Sequence, residues 1–223
     1  RFRRPSMSAM SSGAAFAIAF DVGASFASVR SPCGSSQSAV DVAQQLLGAI
    51  LVRRMGGIAR RARIVETEAY LGPADRASHA SKGRTRRTEV MFGPAGHAYV
   101  YFIYGMHYML NVVTGTTGKA HAVLLRGAAP LAGWDVDLSG PGRLARAFEI
   151  SRADNGRPVT GPDLQFARDR RRRPEWIATP RIGVDYAGEW RHALLRFIDV
   201  EALPSRRRAA RRPGEPGVRT RCP

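Results

Sequence analysis

The feature that most restricts the fold of this chain is a dense aromatic block broken by one glycine. Tyr99-Val-Tyr-Phe-Ile-Tyr104 and Met106-His-Tyr-Met109 stand on either side of Gly105. Aromatic and β-branched residues at this density fit a pleated, half-buried surface, so Ala98–Tyr104 and His107–Thr114 are expected to pair as a hairpin turning at Gly105. An antiparallel pair buries one face, and its own strands cannot cover the tip. Tyr104 is therefore expected to project from the tip, with Met106 beside it, while half of the block goes into the core.

The flanking sequence supplies the rest of one domain. Ser38-Ala-Val-Asp41 has the pattern of a capping box opening a helix through Leu47. Ala49–Arg54 and Arg60–Tyr70 predict two strands joined around Met55-Gly56-Gly57. Residues 72–97, rich in Gly, Pro, Ser and Arg, predict a long surface connection of the kind that carries function. His121–Arg126 predicts another strand, and Ser139 with Pro141 a helix start running to Phe148. Arg168–Arg173 predicts a solvated, charged loop, and Arg181–Tyr186 and Leu194–Val200 two closing strands. Residues 1–39 predict a disordered leader, 40–200 the folded domain and 201–223 a flexible basic tail. The chain begins at Arg1, so Met7 and Met10 are candidate starts. Ala14–Phe20 follows an arginine cluster but is short and ends at Asp21, which makes an export or organelle-targeting leader the secondary expectation to a cytoplasmic, nucleoid-associated protein.

Charge narrows the partner. The net charge is +17, and residues 41–200 alone hold +9 of it, so the basic character belongs to the fold and not only to its ends. Lys82 and Lys119 are the only lysines against 33 arginines. Guanidinium groups pair bidentately with phosphate and stack on aromatic faces, and nucleic acid is the expected partner. Cys33 and Cys222 are too far apart in sequence for a cysteine-ligated cluster or zinc finger, and the five histidines lack metal spacing such as H-E-x-x-H. No metal, no cofactor and no membrane span are expected.

The segment richest in chemistry is Arg63-Ile-Val-Glu-Thr-Glu-Ala-Tyr70. On a strand, alternate side chains share a face, which groups Glu66, Glu68 and Tyr70 opposite Val65, Thr67 and Ala69. Two neighbouring carboxylates favour protonation of one unless cations compensate. A carboxylate facing an aromatic cavity can serve as a general base toward water. The plain alternative is the solvated outer face of a half-buried strand. The exposed aromatic tip on a basic protein tips the balance, because such a wedge is suited to enter a base stack.

Those residues, taken with their neighbours, resemble the alkyladenine (3-methyladenine) DNA glycosylase family. The resemblance rests on Glu66-Thr-Glu-Ala-Tyr-Leu-Gly-Pro73, Ser78-His79, Met91-Phe-Gly-Pro94 and Tyr99-Val-Tyr-Phe-Ile-Tyr-Gly-Met106. Asn111, Val123-Leu-Leu-Arg126, Ser139-Gly-Pro-Gly142 and Arg181-Ile-Gly-Val184 continue it in the same order. It implies an α+β domain with a curved, largely antiparallel sheet, short flanking helices and a protruding aromatic hairpin. It also implies a monofunctional, monomeric enzyme that flips alkylated purines out of double-stranded DNA and hydrolyses the N-glycosidic bond, leaving an abasic site. By this likeness Glu68 is the general base, and Arg126 and the backbone near Ile182 hold the attacking water. Tyr70, His79 and Tyr101 line the base pocket, Asn111 stands where a guanine-type amine is rejected, and Tyr104 and Met106 fill the gap in the duplex.

The chain departs from the family pattern in places. Thr85-Arg-Arg-Thr88 stands where Thr-Pro-Arg-Asn is usual, and Gly127-Ala-Ala-Pro130 lacks a glutamate before its proline. Three other readings compete. Leu138-Ser-Gly-Pro-Gly142 superficially resembles a helix-hairpin-helix turn, with Asp154 or Asp163 as its catalytic partner. An arginine-rich nucleic-acid-binding protein without catalysis would make the glutamate pair incidental. A sugar hydrolase would use the pair but gain nothing from the positive field.

Overall fold

Ser38 opens the folded chain as its sequence predicts. Its hydroxyl accepts the Asp41 N–H and the Asp41 carboxylate accepts the Ser38 N–H, so two otherwise orphaned donors of the first turn are satisfied reciprocally. The computed structural model describes residues 38–131, 133–169 and 174–202. In chain order these form α1 (Ala39–Leu46), β1 (Ile50–Met55), β2 (Ile58–Leu71), β3 (Ala98–Ile103), β4 (His107–Thr114), β5 (His121–Pro130), α2 (Pro141–Ala147), β6 (Leu164–Ala167), β7 (Trp176–Thr179) and β8 (Arg196–Asp199). The expected leader, except Ser38 and Ala39, lies outside the described residues. So do the tail beyond Ala202 and the last four residues of the Arg168–Arg173 loop.

Every ladder is antiparallel, and β2 organises them. One edge of β2 pairs with β1 over Ile58–Arg63 and then with β8 over Glu66–Glu68, while the other edge pairs with β5. The β2–β5 register slips twice: Ile64 faces Ala128, Glu66 faces Gly127 and Thr67 faces Leu125. Val65 and Arg126 are left without a direct partner, one bulge on each strand. Bulges bend a sheet and re-aim side chains, and here they bend it where the two glutamates and Arg126 meet. A Cβ on Gly127 would lie 3.3 Å from the Glu66 side chain, so the crossing needs a glycine's small volume.

The sheet is curved, and its helices cover one face. Ala39, Val42, Ala43 and Leu46 form the apolar stripe of α1, packed with Ala62, Ile64 and Ala69 of β2. Thr67 is buried on that side, where its hydroxyl donates to the Ala43 carbonyl at 2.9 Å. From α2, Leu144 and Ala145 join the same core, and Phe148 lies edge-on to Trp134 at 5.0 Å. Burial of a leucine such as Leu46 or Leu144 contributes about 1.5–3 kcal/mol, so this layer supplies much of the drive to fold. Among the described residues no helix is long and apolar enough to cross a membrane.

Four expectations change. Residues 72–97 are not a surface connection: they contain 3-10 turns at Gly72–Ala74, His79–Lys82 and Glu89–Phe92 and bury Asp75, Ala77, Ser78, Ala80, Thr88 and Met91. Polar residues are buried here because each finds partners within the segment or across it, so polarity misreports exposure. Arg181–Tyr186 is not a strand. Pro180 lacks an N–H to donate, Gly183 takes a left-handed φ of 74°, and 3-10 turns follow over Asp185–His192. The outer strand beside β8 is β7, which with β6 is four residues long and too short to show a period. Helix α2 is capped by the Gly140 backbone, while the Ser139 hydroxyl turns back to Asp137 at 2.6 Å.

Candidate active site

On the face of β2 opposite α1, the alternation of the strand sends Glu66, Glu68 and Tyr70 toward β5 and β8. The two carboxylates then meet different surroundings. Glu66 Oε1 accepts Arg196 at 2.8 Å and Arg126 Nε at 3.1 Å, so two guanidinium groups occupy it at the side of the sheet. Glu68 has no solvent exposure and lines a cavity of about 340 Å³. Its Oε1 accepts the Ile182 N–H at 2.9 Å and lies 3.5 Å from Arg126 NH1; its Oε2 accepts the Tyr70 hydroxyl at 2.9 Å. Burial raises the Glu68 pKa, Arg126, the Ile182 N–H and the Tyr70 hydroxyl pull against that rise, and Glu66 adds slightly to it. The result is a desolvated carboxylate held in one orientation by three donors. It is not the solvated outer face that the plain alternative requires.

Aromatic rings wall the cavity. Tyr70 rises from β2. On β3, the ring centroid of Tyr101 lies 4.5 Å from that of His79 and 5.5 Å from that of Tyr99. Ser78 caps the turn that carries His79 by accepting the Ala80 N–H, and His79 Nδ1 meets the Tyr99 hydroxyl at 2.9 Å. Burial, followed by the charge of Arg87, lowers the His79 pKa to about 4, so the imidazole is neutral at physiological pH. At the mouth stand Tyr104, 78% exposed, and the exposed side chains of Ile182 and Tyr186.

Residues 34–202 match the family described as methylpurine-DNA glycosylase. A protein of Anaeromyxobacter sp. (strain Fw109-5) is 51% identical over 176 residues, covering 78% of this chain and 89% of its own length. One from Myxococcus xanthus (strain DK1622) is 53% identical over 159 residues, 70% of this chain and 81% of its own. One from Legionella pneumophila (strain Lens) is 49% identical over 157 residues, 70% and 86%. All three bear the name "Putative 3-methyladenine DNA glycosylase". The chain belongs to the methylpurine-DNA glycosylase family. It is thereby a DNA glycosylase, a hydrolase acting on N-glycosyl bonds.

The glycosylase fold gathers the predicted residues with one separation. Glu68, Tyr70, His79, Tyr101, Tyr104, Asn111 and Arg126 all line the cavity. Met106, 68% exposed, lies off it, in a crevice beside His107 and Gly142. Asn111 is buried on β4, and its amide donates to the Tyr99 carbonyl at 3.0 Å, which fixes it across the hairpin from the ring wall. The tip uses left-handed backbone at Tyr104 (φ 53°) and Gly105 (φ 65°), so the three-residue turn presents Tyr104 outward. The helix-hairpin-helix reading fails on Asp154, which is buried, held by two bonds from Arg53 and committed to the cap at Ser151.

Two features escape sequence reasoning. Asp75 and Arg181 form an ion pair with both side chains fully buried, Arg181 NH2 donating to Asp75 Oδ1 at 2.9 Å and NH1 to the Ala69 carbonyl at 2.9 Å. This pair pins the backbone one residue before Ile182, whose N–H holds Glu68. The other feature lies behind the ring walls. The Arg181 guanidinium sits 4.7 Å from the Tyr70 centroid, and that of Arg87 5.3 Å from the Tyr101 centroid. Neither arginine lines the cavity, so each backs its ring from outside and draws on that ring's π electrons.

Proposed function

We propose that this glycosylase is monofunctional, acts as a monomer on double-stranded DNA, extrudes alkylated purines and hydrolyses their N-glycosidic bond to leave an abasic site. One observation carries the reading: of the two glutamates on β2, only Glu68 lines the ring-walled cavity, and it is fully buried with its carboxylate held at both oxygens. A base within the stack cannot be reached, so the target nucleotide must leave the duplex, and damaged pairs open at lower cost. Tyr70 on one side, with Tyr101 and His79 on the other, sandwiches the extruded purine, and Asn111 excludes a guanine-type amine. Tyr104 and Met106 fill the space left in the duplex.

Glu68, ionised, takes a proton from a water molecule as its oxygen attacks C1′. The C1′–N bond breaks, and its electron pair returns to the purine. An N3- or N7-alkylated purine carries positive charge and leaves readily, so a single base and an oriented water suffice. Arg126, the Ile182 N–H and the Tyr70 hydroxyl keep Glu68 ionised and aimed. Release requires the ionised carboxylate, so activity falls on acidification at a pH above the ordinary carboxylate range. A lyase step would need an amine nucleophile, and neither Lys82 nor Lys119 lines the cavity. DNA as substrate makes the nucleoid the expected place of action. The test is release of free purine from a duplex carrying 3-methyladenine, with wild type and Glu68→Gln side by side. Loss of release with lesion binding retained supports the reading. Equal binding of intact and damaged DNA by the wild type, with no purine freed, favours a non-enzymatic binder instead.

A further inference from the structure

The reverse face of the aromatic hairpin carries a second groove, of about 620 Å³, that the glycosidic reaction does not use. Alternation along β3 creates it: Tyr99 and Tyr101 point to the base cavity, and Val100 and Phe102 to the other side. Phe102 pairs across the hairpin with Tyr108 of β4, their ring centroids 4.9 Å apart, and Phe102 is 49% exposed. Arg86, Arg87 and Arg152 stand around these rings, and no carboxylate lines the groove. Tyr101 borders both the groove and the base cavity and so stands between the two recesses.

We infer that this groove binds an unpaired stretch of DNA strand, with bases on Phe102 and Tyr108 and phosphates on Arg86 and Arg152. The inference rests on DNA being the substrate. Three guanidinium groups without a counter-carboxylate suit a phosphate backbone, and their bidentate geometry favours it over neutral ligands. The half-exposed ring separates single from double strand. A duplex presents phosphates but keeps its base faces stacked, so only an unpaired nucleotide can use an aromatic platform.

Oligo(dT) of twelve residues, labelled with fluorescein, tests this, since it has no purine to fill the base cavity. The full chain is titrated by anisotropy at several salt concentrations, and base release is followed separately on a short methylated duplex under single-turnover conditions. Phe102→Ala is expected to weaken oligo(dT) binding about 5- to 150-fold with the salt dependence kept, and Phe102→Trp to restore it. The double substitution Arg86→Gln with Arg152→Gln is expected to lower the slope of log affinity against log salt by about 1.4, two phosphate contacts at about 0.7 each on single strands. Base release at saturating enzyme is expected to stay within about 2-fold of wild type, as free energies under RT ln 2 are small beside these binding effects. Oligo(dT) affinity unchanged in all these variants overturns the inference, as does a loss of affinity in Phe102→Ala that Phe102→Trp fails to restore. A wild type that binds oligo(dT) through these residues yet frees no purine refutes the glycosylase mechanism and leaves the groove standing.

Discussion

The base and the tip of one hairpin carry the same kind of residue in opposite surroundings. Tyr99, 1% exposed, and Tyr101 are packed against His79, and burial raises the pKa of both phenols. Tyr104 and Met106, a few residues along, stand 78% and 68% exposed on a turn with left-handed backbone. The difference shows how one element serves two purposes. At the base the rings are held by neighbours and form a pocket whose shape exists before any ligand arrives. At the tip a turn with left-handed backbone holds a ring mostly in solvent, so most of its surface is buried only on contact with a partner. Substitutions at the base should therefore cost chemistry and stability together, and those at the tip recognition alone.

The largest expected effect is at the floor of the pocket. Glu68→Gln is expected to slow base release about 10²- to 10⁴-fold in single-turnover assays, the range for loss of a positioned general base. Glu66→Gln, which removes a carboxylate already shared by two arginines, should cost far less; the reverse ranking would transfer the role to Glu66. Next comes the buried pair behind the pocket. Asp75→Ala leaves the buried Arg181 charge without a counter-ion, and urea denaturation should show about 3–5 kcal/mol of lost stability. Replacing both partners together, Asp75→Leu with Arg181→Met, should regain most of that stability. Base release should stay low, because the backbone before Ile182 loses its anchor.

The tip should behave otherwise. Tyr104→Gly is expected to lower preference for a methylated over an intact duplex about 5- to 150-fold, the value of one stacked ring. Stability should not fall, since glycine accepts the left-handed φ that strains a tyrosine. If urea midpoints drop as they do for Asp75→Ala, the contrast between base and tip is lost. The last effect is a pH dependence confined to the pocket and absent at neutral pH. The His79 pKa falls from 6.5 to about 4 on folding, so between those values the unfolded chain binds a proton that the folded chain does not. Stability from this source is complete above pH 6.5 and declines as pH falls toward 4. His79→Phe should lack that decline, as judged by thermal midpoints across the range.

Legibility in the sequence followed interaction range. The cap at Ser38, the hairpin around Gly105 and the shared face of Glu66, Glu68 and Tyr70 depend on neighbours within a few positions, and all three were readable. The 72–97 segment was misread because its glycines, prolines and serines suit turns equally well on the surface or inside. Arg181–Tyr186 reads as a strand in sequence, whereas Arg181 is buried against Asp75, 106 positions away. The roles assigned to the pocket residues came from family resemblance, not from any local pattern.

What the sequence determined by itself is therefore the set of parts: an amphipathic helix, a strand with alternating acids, an aromatic hairpin with a projecting tip and a basic surface. Local sterics and periodicity suffice for these. The folded sheet settled which glutamate lines the cavity, because that depends on the paired bulges at Val65 and Arg126 and on Arg196 arriving from β8. It also decided that Tyr70 and Tyr101 would each be backed by a guanidinium. Such choices rest on contacts between residues far apart in the chain, where the free energy of burial and charge pairing is settled only once the sheet has closed.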